Sequence, residues 1–232
     1  MLEMLYMKIR RKGYDITMRR YDTVIFDLDG TLLDTLEDLA DAVNYALREM
    51  RMPERTIEEV RQFVGNGVRR LMELAVPQGF DNPAFEETFA KFKEYYGIHC
   101  NDKTKAYDGV LQLLRELKNE GYALAIVSNK LDSAVKELSE IYFEGVIKVA
   151  IGEMEGVAKK PAPDTVYKAL EELQMPAESA VYVGDSEVDV MTAKNSGLPC
   201  ISVLWGFRDE EFLREQGATR FAKTAEEVRA FL

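Results

Sequence analysis

Acidic and polar residues suited to phosphoryl-transfer chemistry follow several short apolar runs of the sequence. Asp27 and Asp29 flank a single leucine, and Gly30 permits a tight turn directly after them. The other candidates lie far along the chain, and they are Ser128, Asn129, Lys160, Asp185 and Asp189. One carboxylate can attack phosphorus, and a second can exchange a proton with the leaving oxygen. These residue types suit the transfer of a phosphoryl group through an aspartyl phosphate.

A cation is needed where several carboxylates share one small site, because they repel each other otherwise. Mg²⁺ is favoured, since it takes oxygen ligands in octahedral geometry and keeps several waters. The predicted ligands are the carboxylates of Asp27 and Asp185 and the main-chain oxygen of Asp29. In this scheme Asp27 is the nucleophile, and Asp29 acts first as general acid and then as general base. Mg²⁺ is therefore the expected cofactor.

The phosphoryl oxygens also need hydrogen-bond donors and positive charge. We expect the Ser128 hydroxyl and the main-chain N–H of Asn129 to donate, helped by the N-terminus of a helix predicted after Ser128. Lys160 would supply a fixed positive charge opposite the metal. Taken singly, Ser128 fits a helix cap better than a ligand, and Lys160 fits a solvated side chain better than a site residue. Their shared placement after strands favours one site.

Strand-like runs alternate with helical periodicity, which predicts an α/β fold with a Rossmann-like parallel sheet. The predicted strands cover residues 23–26, 123–127, 146–151, 180–183 and 200–204. Ligands of such sheets bind beyond the carboxyl ends of the strands. The candidate residues follow four of these ends, so we expect them to meet at one edge of the sheet.

A purely helical pattern interrupts the strands after the first one. It predicts an α-helical insert over residues 35–105, within a core of residues 22–34 and 106–232. Residues 1–21 form a predicted N-terminal extension. Since Met18 lies just ahead of the first strand, residues 1–17 are either foreign to the native protein or a short element docked on its body.

Composition narrows the possible partners and locations of the protein. The 41 acidic residues outnumber the 30 basic ones, and a formal charge of −11 repels nucleic acid and anionic membrane surfaces. Cys100 and Cys200 have no spacing typical of a disulfide framework or a zinc site. Signal-peptide and membrane-spanning patterns are not found in the sequence. We therefore expect a soluble, cytoplasmic protein that binds neither nucleic acid nor membrane.

The candidate residues resemble, in order and spacing, the four motifs of the haloacid dehalogenase superfamily, over about residues 22–232. The matching segments are 27–31, 128–129, 160–163 and 184–189. The resemblance implies that Asp27 is the nucleophile, Asp29 the acid/base and Asp185 a Mg²⁺ ligand. It also implies that Ser128 and Lys160 contact phosphate. Asp189 would lie in the outer shell of the metal, and Thr31 would orient Asp29. The helical insert resembles the α-helical C1-type cap of this superfamily, which closes over the site.

Segments 63–71 and 203–207 resemble the phosphoglycolate phosphatase group of that superfamily. The resemblance implies a small phosphorylated metabolite as substrate, and 2-phosphoglycolate is the first candidate. Asn66, Arg69 and Arg70 of the predicted cap are then candidates for substrate selection, because an arginine can bind a carboxylate through two hydrogen bonds. Arg69 and Arg70 cannot both face the site, since adjacent helical positions diverge by about 100°.

Other activities remain open or are disfavoured at this point. A pyrophosphatase, a sugar-phosphate phosphatase, a phosphomutase or a non-catalytic phosphate-binding module could use the same scaffold. Dehalogenase chemistry needs no acid at the position of Asp29. His99 is the only histidine, and neither cysteine has an arginine six positions later. Phosphohistidine and cysteine-phosphatase mechanisms therefore lack their residues.

Overall fold

Six parallel strands form the central sheet of this protein, in a computed structural model that describes residues 19–232. The strands of this sheet are β1 (Thr23–Phe26), β4 (Ala123–Leu131), β5 (Val149–Glu153), β6 (Ala180–Gly184), β7 (Cys200–Val203) and β8 (Phe221–Ala222), and a separate pair is formed by β2 (Leu33–Asp34) and β3 (Lys105–Ala106). The helices are α1 (Leu36–Glu49), α2 (Ile57–Phe63), α3 (Val68–Ala75), α4 (Phe85–His99), α5 (Val110–Asn119), α6 (Asp132–Phe143), α7 (Asp164–Leu173), α8 (Glu187–Ser196), α9 (Glu210–Glu215) and α10 (Ala225–Phe231). The predicted α/β class is confirmed. Most of the predicted extension 1–21 lies outside the described residues.

Strand β1 occupies the middle of the sheet, whose order is β5-β4-β1-β6-β7-β8. Phe26 at the end of β1 pairs with Ile126 of β4 and with Val183 of β6, both in parallel. Residue 27 therefore leaves the sheet where the pairing of β1 with both neighbouring strands ends. The connection passes to β4 on one side and later to β6 on the other, which is where ligands bind in open α/β sheets.

Both faces of the sheet are covered by apolar side chains, which explains the unbroken hydrophobic runs of its central strands. Val24 and Phe26 point into a cluster with helices α5 and α6, while Ile25 points into a second cluster with helix α7. This alternation along β1 fixes its register, because a shift by one residue would exchange the two faces. The position of Asp27 is thus set by the packing beneath it.

Helices α1 to α4 lie between β2 and β3 and share an apolar cluster of their own. A capping box of Thr56 and Glu59 begins α2. The apolar stripe of α4 packs into this cluster, with Phe92 and Tyr96 both buried. Strands β2 and β3 pair antiparallel and join this helical segment to the sheet. The division into a core and a separate cap domain stays a prediction.

Several predicted boundaries differ from the structure. Strand β4 extends to Leu131, because Leu131 still pairs with Glu153 of β5 after a shift in register. Strand β5 begins at Val149 and not at residue 146, since the chain turns after α6 through Gly145 at a positive φ of 68°. The two-residue strands β2, β3 and β8 are too short for periodicity to indicate. Among residues 19–232 no helix has the length and apolar character needed to span a bilayer.

Candidate active site

Asp27 lies at the carboxyl end of β1 and lines a cleft between the sheet and the helical segment. Its main-chain N–H donates to the Val183 carbonyl at 2.9 Å, and its carboxylate Oδ1 pairs with Lys160 Nζ at 2.8 Å. Burial and the nearby Asp189 and Asp185 carboxylates raise the pKa of Asp27 well above its usual range, although Lys160 opposes them. The site therefore favours a cation near Asp27.

Lys160 is buried and joins two carboxylates. Its Nζ lies 2.8 Å from both Asp27 Oδ1 and Asp189 Oδ1, and it donates to the Tyr182 hydroxyl at 3.0 Å. Burial alone lowers the pKa of Lys160, but Asp189 and Asp27 outweigh it and raise that pKa well above the ordinary value. Lys160 is thus a fixed positive charge beside Asp27.

Asp185 follows β6 and is inaccessible to solvent. The Thr31 hydroxyl donates to its Oδ1 at 2.9 Å, and the Phe207 N–H donates to its Oδ2 at 2.8 Å. The sequence predicts that Thr31 orients Asp29, whereas the hydroxyl binds Asp185, because the Gly30 turn carries Thr31 across to β6. A Cβ on Gly30, whose φ is +86°, would lie 2.4 Å from an Asp185 oxygen. Only glycine fits this approach.

Asp189 is held by donors on both of its oxygens. Oδ1 accepts from Lys160 and from the Tyr182 hydroxyl at 3.1 Å. Oδ2 accepts from the Asp185 N–H at 3.2 Å, the Ser186 N–H at 3.0 Å and the Ser186 hydroxyl at 2.6 Å. Ser186 and Asp189 also form the capping box of α8. These bonds leave Asp189 little capacity for direct metal binding.

The acidic residues present fit a divalent cation. Carboxylate oxygens of Asp27, Asp185 and Asp189 lie within 4.8 Å of one another, and all three residues are buried. Asp189 accepts five hydrogen bonds, whereas Asp185 accepts one on each oxygen and Asp27 pairs with Lys160 through one oxygen, so Asp27 and Asp185 have more capacity left for a metal. Burial, together with Asp189, raises the pKa of Asp185 to about 7 despite the donors on both its oxygens. An all-oxygen set of this kind suits Mg²⁺.

Mg²⁺ is expected to raise the melting temperature more at about pH 8 than at about pH 6. The raised pKa of Asp185 means that the folded state holds its proton, so the contribution of Asp185 to metal-free stability is fully present below the ordinary pKa of 3.8 and is lost as pH rises through about 7. Mg²⁺ must displace that proton, so it binds better above this pH. Thermal melts in EDTA and in Mg²⁺ at both pH values measure the effect. Asp185→Asn should reduce the pH dependence of the Mg²⁺ shift, to which Asp27 with its raised pKa also contributes, and an equal shift at both pH values in the wild type would contradict the role of Asp185.

A lysine that sequence reasoning missed contacts Asp29. Lys130 Nζ lies 2.9 Å from Asp29 Oδ1 and also contacts the Tyr96 hydroxyl of α4. Burial lowers the pKa of Lys130, but Asp29 and Tyr96 reverse that effect and raise it above the ordinary value. The sequence indicates Lys130 only by its place, directly after Ser128-Asn129 and the apolar run before them. Its buried partners could not be read from that position.

Ser128 and Asn129 both line the cleft. The Ser128 hydroxyl accepts from the Lys130 N–H at 3.2 Å, which leaves its proton for another acceptor. The Asn129 amide donates to the Gly65 carbonyl at 3.1 Å and to the Lys160 carbonyl at 3.0 Å. The predicted helix after Ser128 begins only at Asp132, so Ser128 and Asn129 are not in its first turn. Donation by Ser128 and by the Asn129 N–H stays a prediction.

The helical segment closes the cleft with apolar residues, including Leu39, Val68 and Leu71. Arg208, which follows β7, links the two parts. Its guanidinium donates to the Arg61 carbonyl at 3.0 Å and to the Val64 carbonyl at 2.8 Å, at the end of α2, and pairs with Glu187 at 2.9 Å. The site is therefore covered in this conformation.

The structure does not bring Arg69 and Arg70 to the cleft. Arg69 pairs with Glu86 and lies over the ring of Phe89, 5.4 Å from its centroid. Arg70 pairs with Glu73 at 2.5 Å. The Asn66 main-chain carbonyl accepts from Lys159 at 3.3 Å, and among residues 19–232 the Asn66 side chain has no contact with the cleft. Substrate selection by these three cap residues stays a prediction that this geometry does not support.

Known proteins resemble this chain over most of its length. A sequence profile described as haloacid dehalogenase-like hydrolase matches residues 24–203. A phosphoglycolate phosphatase of Aquifex aeolicus is 35% identical over 185 residues, covering 79% of this chain and 85% of the relative. A provisionally named phosphoglycolate phosphatase from Lactobacillus delbrueckii subsp. bulgaricus has a TM-score of 0.87 at 37% identity, covering 92% of this chain and 99% of that one. CbbY from Rhodobacter sphaeroides, solved in complex with phosphate, has a TM-score of 0.72 at 26% identity, covering 90% and 96%.

Proposed function

Because this chain belongs to the haloacid dehalogenase-like hydrolase family, among its phosphatases, we propose that it is a Mg²⁺-dependent phosphomonoesterase acting on 2-phosphoglycolate. The observation that carries the proposal is the buried Asp27 carboxylate, 2.8 Å from the Lys160 ammonium and beside Asp185 in one cleft. The names of the similar proteins support the substrate, since phosphoglycolate phosphatases are among them. A cytoplasmic location is part of the proposal, because both cysteines are free thiols.

In the first half of the proposed reaction, Asp27 attacks phosphorus. A bond forms between its carboxylate oxygen and phosphorus, and the bond from phosphorus to the leaving oxygen breaks. Asp29 gives its proton to that oxygen, so glycolate leaves with an uncharged hydroxyl group. Lys160 holds Asp27 Oδ1 in place and offers positive charge to the phosphoryl oxygens, together with Ser128.

In the second half, water hydrolyses the aspartyl phosphate. Asp29, now a carboxylate, takes a proton from the water as it attacks phosphorus, and the bond to Asp27 breaks to release phosphate. The cleft walls from α1 and α3 enclose the site. They restrict the access of bulk solvent and leave room for a small leaving group. Asp27 and Asp29 are thereby both restored.

The residues that would hold Mg²⁺ are Asp27 and Asp185 through carboxylates and Asp29 through its main-chain oxygen, with Asp189 behind them. Bound Mg²⁺ would neutralise charge on the carboxylates and on the phosphoryl group. Asp189 orients the main chain of residues 185 and 186 and compensates the charge of Lys160. The metal is thus expected to complete a site that the protein has largely arranged.

Assays on a panel of phosphate esters test the substrate. We expect kcat/KM for 2-phosphoglycolate to exceed that for pyrophosphate, hexose phosphates and p-nitrophenyl phosphate by at least about tenfold, worth ~1.4 kcal/mol of transition-state binding. Release of inorganic phosphate is the measurement. Preference for pyrophosphate would replace the assignment, and isomerisation of a sugar phosphate without phosphate release would indicate a mutase. No turnover of any ester would indicate a non-catalytic binding module.

A further inference from the structure

Lys130 carries a buried positive charge for which the proposed mechanism has no use. Its side chain is 1% exposed, and its Nζ lies 2.9 Å from Asp29 Oδ1. Its other hydrogen-bond acceptor is the Tyr96 hydroxyl. An ammonium has three N–H donors, so one of them lacks an acceptor among residues 19–232. Lys130 also forms part of the cleft wall, where a bound molecule can meet it.

The other nearby cations are engaged elsewhere. Lys160 lies at the phosphoryl end, between Asp27 and Asp189. Lys159 does not line the cleft, and it contacts Glu153 at 3.8 Å and the Asn66 carbonyl at 3.3 Å. The cap arginines point to acidic partners outside the cleft. Lys130 is therefore the cleft cation available to a second anionic group of a substrate.

The position of Lys130 is next to the leaving group. In the proposed mechanism the leaving oxygen lies within hydrogen-bond reach of the Asp29 carboxylate. Because Lys130 contacts that same carboxylate, its ammonium lies near the carbon that carries the leaving oxygen. In 2-phosphoglycolate a single methylene separates this oxygen from the carboxylate. A charge-assisted hydrogen bond in a buried cleft is stronger than one in water.

We propose that Lys130 determines specificity by binding a carboxylate one methylene away from the phosphoester oxygen of the substrate. The inference rests on the proposed function, since it takes Asp29 as the group at the leaving oxygen. The substrate class is phosphomonoesters of short 2-hydroxy acids. Phosphate esters with an uncharged alkyl group have no carboxylate for Lys130. When they bind, Lys130 stays paired to Asp29 and Tyr96 alone.

The test compares two esters that differ only at this group, 2-phosphoglycolate and ethyl phosphate. In the wild type, kcat/KM is expected to favour 2-phosphoglycolate at least about tenfold. Lys130→Met removes the charge and should lower the ratio of the two kcat/KM values by roughly 10- to 100-fold. Any disturbance of Asp29 affects both esters and cancels in the ratio. Lys130→Gln keeps a donor to Asp29 without the charge, and it carries the same expectation if the Met variant does not fold.

Three outcomes would overturn the inference. An unchanged ratio, with both rates lowered alike, would make Lys130 only a positioning residue for Asp29. A similar fall of the ratio in Lys159→Met would assign the carboxylate to that lysine. A wild type that prefers neither ester would remove the anionic specificity while leaving the phosphatase intact. By contrast, a wild type that hydrolyses neither ester would reject the proposed function itself.

Discussion

Asp27→Asn is expected to lower kcat by more than about a thousandfold, which corresponds to ~4 kcal/mol of barrier. An amide has nearly the same shape as the carboxylate, so the side chain can keep its place 2.8 Å from Lys160. It is neither a nucleophile towards phosphorus nor an anionic ligand for Mg²⁺. The loss should therefore fall on the chemical step and on metal binding, with the fold retained.

Steady-state release of phosphate from 2-phosphoglycolate at saturating Mg²⁺ measures this effect, with circular dichroism as the check on folding. Asp22→Asn is the matched control, since it makes the same change just ahead of the same strand. The Asp22 carboxylate bonds the exposed Arg19 at 2.7 Å, far from the cleft end of β1. Retention of more than about a tenth of kcat in Asp27→Asn would remove Asp27 from the role of nucleophile.

Chelation by EDTA is expected to abolish turnover, and added Mg²⁺ should restore it completely. Without a cation, burial and the neighbouring acids favour protonated Asp27 and Asp185, which suits neither nucleophilic attack nor charge neutralisation. Ca²⁺ should bind in competition with Mg²⁺ and support less than about a tenth of the rate. Its oxygen ligands lie at ~2.3–2.6 Å and not ~2.0–2.1 Å, which misplaces Asp27 relative to phosphorus.

Phosphate release during titration of EDTA-treated enzyme with each cation measures these effects. Asp185→Asn serves as the comparison, because losing one ligand should raise the Mg²⁺ concentration needed for half-maximal rate. Full activity in excess EDTA would mean that the carboxylates work without a metal. Full activity with Ca²⁺ would mean that the cation acts through its charge alone.

The arrangement of Asp27, Ser128 and Asp185 could be predicted from the sequence because it follows from a few local patterns. Each residue comes directly after a buried apolar run, and parallel strands in register deliver such residues to the same edge. In the structure, Phe26 pairs with Ile126 and with Val183, which brings the residues after these positions close together. Lys160 also meets Asp27, although it follows a long irregular connection after β5.

Contacts that depend on how distant segments pack could not be predicted. The Thr31 hydroxyl reaches Asp185 across the Gly30 turn, and nothing in the local sequence distinguishes that partner from Asp29. The contact of Lys130 with Tyr96 depends on the docking of α4 against the sheet. Helical geometry could say that Arg69 and Arg70 diverge, but not that Arg69 would lie on aromatic rings and bind Glu86.

The paired strands β2 and β3 have a consequence for how such enzymes diversify. Leu33 pairs with Ala106 and Asp34 with Lys105, and antiparallel partners lie only about 4.5–5.5 Å apart, so the inserted helices leave and return at nearly one point. A recombination event that replaces everything between these strands need not disturb the register of the sheet. Asp27 and Asp29 lie before the junction, and the other residues of the proposed site lie after it. Evolution can therefore exchange the covering segment, and with it the apolar wall that this segment gives to the cleft, without moving the residues that the sheet positions.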